Sequence, residues 1–338
     1  MKAVPIIAAL AGLTAMAALI AIFGADAVLR SLIAVGWKGF AAICLIHLGL
    51  IAVMGIAWRG LVPGVPTWPF LWGRLVREAG SEVLPLSPVG GCVIGARALS
   101  LGGVPGSTAA ASTIVDLTLE FFAKLGYTAL GLGLLVGLQP GSEMAVPLAV
   151  GLAVASLAAI ALVAAQKRSF DVFERLAGIL GRGWAERIAA GNAALHAALV
   201  RTYQRKTGLW VGFSLHLACW IASALEAWIV LRLAGVPFPF KTVLVIESLL
   251  YAIRTVAFAI PNAVGVQEGA YVLIGASFGL APEMALALSL VKRARDLTIG
   301  LPALGIWQIV EGGRLWRGRR KADTVAARSE GIFDRSKP

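Results

Sequence analysis

The sequence predicts an all-α, polytopic membrane fold from three observations. Hydrophobic residues make up 59% of the 338-residue chain and charged ones only 14%, with a mean hydropathy of +0.84. Several apolar runs approach the roughly 20 residues that a helix needs to cross a bilayer. The net charge of +12 is concentrated beside those runs, at 167–206 and in RLWRGRRK at 314–321, where cytoplasmic loops meet anionic lipid heads. That placement, rather than the net charge alone, argues for a membrane and against nucleic acid as a partner.

The elements follow in order. VPIIAALAGLTAMAALIAIF at 4–23 predicts a retained first span, and 39–57 a second. Residues 58–70, rich in Pro, Gly and Trp, predict an interfacial connector with aromatic anchors. Residues 71–106 are too interrupted for one straight helix: Pro85, Pro88 and the Gly90–Gly91 pair predict a split into short pieces, because proline lacks a donor and obstructs the preceding turn. A long helix is predicted over 107–138, carrying Asp116, Glu120 and Lys124, and another span over 146–165. The polar middle, 166–207, predicts a cytoplasmic amphipathic helix from the spacing of Trp184, Ile188, Leu195 and Leu199. A span over 209–233 and a hinge at GVPFPFK lead to a helix over 242–260. A short apolar piece over 265–280 and a last charged helix over 281–310 complete the membrane domain, and 311–338 is a basic cytoplasmic tail.

Two stretches repeat the same order of events: a broken segment, a GGVP or GLAP turn, then a long helix with buried charge. Gly102 and Pro105 precede Gly279 and Pro282 by 177 positions, and Ser112 and Asp116 precede Ser289 and Arg293 by the same offset. With both termini cytoplasmic and Arg59, Arg74 and Arg77 on that side, each half holds two spans and a broken unit, and the halves run in opposite senses. A single membrane domain is expected, with a first inverted repeat at 1–138 and a second at 139–310, each containing a broken or re-entrant helix. Inverted repeats whose interrupted helices face each other are a transporter arrangement.

PNAVGVQEGAYVLIG, 261–275, is the most informative stretch. Irregular backbone at membrane depth is tolerated only against protein or a polar cavity. Pro261 ends one helix, Asn262 is placed to cap the next, and Gly265 and Gly269 permit close approach. Glu268 requires a partner, water or substrate; Arg254, Arg293 and Arg295 are candidate partners. An ion pair of purely structural value and a substrate-facing site both fit. Asp116 and Glu120, four residues apart, share one helix face, suited either to proton or ion coupling or to internal pairing with Lys124 and Arg97. Glu82 and Arg97 are the first unit's counterparts as substrate contacts. Glu247 is expected near the interface.

The three cysteines and three histidines are scattered, so neither a metal site nor redox chemistry is expected. There is no phosphate cradle of the Walker type, and no cofactor is expected.

PNAVGVQEGAY, taken with SEVLPLSPVGGCVIGAR, resembles the lysylphosphatidylglycerol-synthase-type transmembrane domain family, and within it the branch associated with hopanoid biosynthesis. The resemblance covers nearly the whole chain. It implies a bacterial inner-membrane protein that moves lipid, with Pro261, Gly265, Glu268 and Gly269 as the second-half motif. In the first half, Arg97 stands in the basic place, but Cys92 and Val93 follow the glycines where a glutamate is expected, and Glu82 is the substitute. The soluble aminoacyl-transferring domain of the two-part enzyme is not expected here. Three readings stay open: a lipid transporter or flippase for hopanoids or related polar lipids, a scaffold for hopanoid-modifying membrane enzymes, and a membrane-embedded enzyme.

Overall fold

The computed structural model describes residues 25–83, 87–177, 182–257 and 260–334, which form ten α-helices and one 3-10 turn without a strand. The span expected at 4–23 and Pro85 lie outside the described residues. Helix α1 (Ala25–Arg59) bends at Gly36, where φ is 63°, a left-handed value open to glycine at little steric cost. The expected second span is the straight part after this bend.

The 58–70 connector departs from expectation. Trp58 and Phe70 are wholly buried and meet edge to face at 5.9 Å, while Trp68 stays exposed. Trp58 also donates its indole N–H to Ser112 Oγ at 3.2 Å, so it is a core residue whose polar handle is satisfied and not an interface anchor.

The broken segment is a helical hairpin, α2 (Trp68–Val83) and α3 (Ser87–Leu101). Of the expected breakers, Pro88, Gly90 and Gly91 sit inside α3. Pro88 lies in the first turn, where a missing N–H is harmless. Gly91 acts in packing instead, while Gly90 faces open space. A Cβ on Gly80 would come within 3.0 Å of Gly91 Cα, and one on Gly95 within 2.8 Å of Arg77 Cβ. These contacts fix α2 and α3 as antiparallel neighbours at backbone distance. In lipid, where burial of apolar surface gives little drive between helices, such close approach is what holds them.

Helix α4 (Gly106–Leu138) follows the first hairpin. Its 33 residues span about 50 Å at the helical rise. Thr113 and Thr118 hydroxyls donate back to the carbonyls of Ala109 and Ile114, which lets polar residues sit in an apolar helix without orphaned donors. Helix α5 (Ala145–Ala177) follows. Its outer face, including Val150 and Leu157, is exposed, as a lipid-facing span requires. Helix α6 (Arg182–Tyr203) was expected at the membrane interface; its Ala198 and Leu199 pack into the core that holds Trp58 and Val115.

Helix α7 (Lys206–Leu233) returns alongside α1, antiparallel to it. A second hairpin follows: α8 (Phe240–Val256), the 3-10 turn Pro261–Ala263, and α9 (Val266–Ala276). Tyr271 meets Glu247 and Arg254 meets Asn262, so α8 and α9 are also antiparallel. Helix α10 (Pro282–Asp334) runs on as one helix through most of the expected tail. By length and composition, 33–59, 106–138, 145–164 and 206–233 are apolar enough to cross a membrane.

The two hairpins open toward opposite ends of the bundle. The base of the first adjoins the start of α4 through the 102–105 turn. The base of the second adjoins the end of α4, where Gln139 donates to the Ser277 carbonyl at 2.7 Å. Their tips meet: Arg254 Nη2 reaches Glu82 Oε2 at 3.0 Å and Asn262 Oδ1 at 3.1 Å.

Candidate functional site

Three groups of charge occupy the middle of the bundle. The first pins the first hairpin to α4. Arg77 donates to Asp116 at 2.5 Å and to Glu120 at 2.6 Å. Arg74 donates to Glu120 at 2.7 Å and to Glu78 at 2.9 Å. His216 Nε2 lies 2.9 Å from Asp116, and Lys124 is 3.2 Å from Glu120. Asp116 and Glu120 are therefore enclosed by cations. Arg97, the expected partner, is half-exposed and pairs with Glu311. Arg74 and Arg77, expected as cytoplasmic charges, are buried here instead.

The second group pins the second hairpin to α10. Glu268 is fully buried and accepts from Gly265 N–H at 2.8 Å, from Ser289 Oγ at 2.7 Å, and from Arg293 at 2.6 and 3.1 Å. Arg293 also donates to the Asn262 and Ala263 carbonyls. This corrects the expected cap. Glu268 reaches back to the amide of Gly265, the residue that opens α9, and the Asn262 side chain turns to Arg254. Asn262 and Ala263 both hold positive φ, 48° and 46°, a strained geometry for residues with a Cβ that Arg293 clasps from outside. Alongside, Lys292 donates to Glu247 at 2.5 Å, and Tyr271 to the other oxygen at 2.5 Å. Glu247, expected near the interface, is wholly buried.

The third group lies where the tips meet and borders a small, partly open cavity. Glu82 and Arg254 form its hairpin-tip wall. Glu78, His47, Arg295 and Asp296 line it too, with Trp220 and Tyr251 as its aromatic side. His47 Nδ1 is 3.0 Å from Glu226, Glu226 also pairs with Arg295, and Arg295 donates to Asp296 at 2.6 Å.

Of the expected site residues, the tip contact joins Glu82, Arg254 and Asn262, and Arg295 shares their cavity. Glu268, Gly265 and Arg293 form the clasp behind it, with the backbone of Pro261 and Gly269 in the same hairpin. Asp116 and Glu120 belong to the deeper first group, and Arg97 stands apart from all three. His47 and Glu226 were not expected to take part. A signal for His47 existed, since no other His, Asp, Glu, Lys or Arg lies between Lys38 and Arg59, and such a side chain within a span marks a site by default. Among the described residues, no group of three or more His, Cys, Asp and Glu could hold a metal ion.

Fold and site together define a multi-pass α-helical membrane protein with a charged centre. The family described as "Lysylphosphatidylglycerol synthase TM region" matches residues 6–303, and the chain belongs to it. The chain is also similar to a UPF0104 membrane protein of Methanothermobacter thermautotrophicus, 26% identical over 289 residues that cover 82% of this chain and 84% of that one. No solved structure matches the chain.

Proposed function

We propose that this protein moves polar lipids across or within the bilayer, with the headgroup entering the cavity between the hairpin tips and the acyl or polycyclic part remaining in lipid. One observation carries the reading: two hairpins from opposite ends of the bundle meet at a cavity lined by charged groups of both signs. Arg254 and Arg295 suit a phosphate or other anionic headgroup oxygen, while Glu78, Glu82 and Asp296 suit hydroxyl or ammonium groups. Irregular backbone at the tip of the second hairpin, Pro261–Ala263, is tolerated at membrane depth where it borders protein and a polar space.

The halves 1–138 and 139–310 act in this reading as opposed units that open the cavity alternately. Each contains one re-entrant hairpin followed by a long charged helix. The basic residues beside the spans favour a cytoplasmic membrane location with both termini inside. Hopanoids or related polar lipids are the substrate class carried from the sequence resemblance alone.

The test is leaflet exchange of labelled lipids in proteoliposomes, comparing wild type with Glu82→Gln. The proposal expects protein-dependent exchange that the variant loses while its folding is intact. Exchange at the background rate by wild type, for both hopanoid and anionic phospholipid, would overturn it.

Glu268, paired with Arg293, and Asp116, paired with Arg77, sit in closed surroundings, which favours a second reading, a scaffold for lipid-modifying membrane enzymes. That reading predicts no exchange, and co-purification of such an enzyme with the intact chain.

A further inference from the structure

The buried charges of the centre can be balanced group by group. Arg74, Arg77 and Lys124 face Glu78, Asp116 and Glu120. Arg254 faces Glu82, Lys292 faces Glu247, and Arg293 faces Glu268. Each of these groups is neutral when its members are ionised. Arg295 differs, because it faces two carboxylates, Glu226 and Asp296. With His47 neutral, that group carries one uncompensated negative charge.

An unbalanced charge at membrane depth is strongly unfavourable, and here it lies against a cavity. His47, at the cavity wall with its side chain 15% exposed, touches the buried carboxylate of Glu226 at 3.0 Å. Its surroundings are drawn from every helix packed on it. Cys44 comes from its own helix, Glu78 and Glu82 from α2, and Glu226 from α7. Arg254 lies on α8, and Arg295 and Asp296 on α10.

We infer that His47, Glu226 and Asp296, arranged around Arg295, form a proton-binding site loaded from the cavity. A hydronium ion entering the cavity gives its proton to the group and leaves as water, and the group passes from one net negative charge to neutral. No space beyond that of a water molecule is needed. The site ties together α1, α7 and α10, the three helices that contribute its members, so loading changes the electrostatic attraction among them beside the tip contact. It is separate from Asp116 and Glu120, whose charges the arginines and Lys124 already balance.

The full chain in lipid nanodiscs, labelled with 15N-histidine, tests this directly. It has three histidines, so His47→Gln assigns the His47 signal. The expected result is a single protonation step felt at His47 as the pH is lowered through the range in which buried histidines and carboxylates titrate. Asp296→Asn, which removes the surplus charge, lowers its midpoint by about one pH unit or more, and Glu268→Gln leaves it in place. Should Asp296→Asn fail to fold, proton uptake from a weakly buffered dye solution, larger by about one proton per chain in wild type than in His47→Gln, decides the same point. The absence of any step at His47, or a step that Asp296→Asn does not move, overturns the site. A midpoint that shifts with sodium concentration also overturns it, identifying a bound monovalent cation. No lipid substrate enters the titration, so it stands or falls independently of lipid exchange.

Discussion

The two hairpins have the same shape and opposite polarity. In the first, the hairpin is basic, through Arg74 and Arg77, and the long helix that follows it is acidic, through Asp116 and Glu120. In the second, the hairpin is acidic, through Glu247 and Glu268, and the following helix is basic, through Lys292 and Arg293. Each hairpin is thus pinned to its long helix by buried ion pairs, but the signs are exchanged. Backbone packing differs as well. The first hairpin closes by glycine contact at Gly80 and Gly91, while the second turns through left-handed Asn262 and Ala263 held by Arg293. The comparison teaches that charge in this bundle has two uses: most of it locks helices together, and the part at the meeting of the tips borders open space.

The sharpest way to break the comparison is to remove one partner of a lock. Arg77→Met leaves Asp116 and Glu120 short of a cation and is expected to lower stability by about 3–5 kcal/mol, measured by equilibrium unfolding in mixed micelles. Lys292→Met is expected to do comparable damage from the other half by stranding Glu247. Combining it with Glu247→Met removes both charges, and recovers most of the loss, because a buried pair replaced by apolar groups is near neutral. If the double variant is no better than the single, the lock is more than a charge pair.

Glu268→Gln is a milder probe. The amide still accepts hydrogen bonds at one oxygen, so a loss of about 1–3 kcal/mol is expected, with lipid exchange retained by the folded fraction. Loss of exchange at full stability would return Glu268 from clasp to substrate contact. Ala263→Gly relieves a positive φ and is expected to raise stability by up to about 1 kcal/mol. The smallest effect belongs to the half-exposed pair of Arg97 and Glu311: Arg97→Gln should change stability by less than about 1 kcal/mol.

Much of the architecture was legible in the sequence. Apolar length located most of the described helices, and the PNAVG stretch located the tip of the second hairpin. The partner of Glu268 was also among those the sequence offered. Other features were hidden for physical reasons. Arg74 and Arg77 follow a span closely and so read as cytoplasmic charge, when their acceptors lie on another helix about 40 residues on. Gly91 reads as a helix breaker because the sequence does not say that a second backbone passes against it. Asn262 reads as a helix cap, since that is its commonest use beside proline, but a glutamate three residues into α9 took the cap and left Asn262 for Arg254. Charge balance, which singles out Arg295 and its two carboxylates, exists only after the pairs are known.

The most direct test of the account is lipid exchange by the tip contact with its charges exchanged. Glu82→Arg and Arg254→Glu, each alone, are expected to abolish protein-dependent leaflet exchange in proteoliposomes, and the two together to restore a measurable part of it. Exchange unaffected by either single variant, with the protein folded and inserted, would contradict the claim that lipid headgroups pass where the hairpins meet.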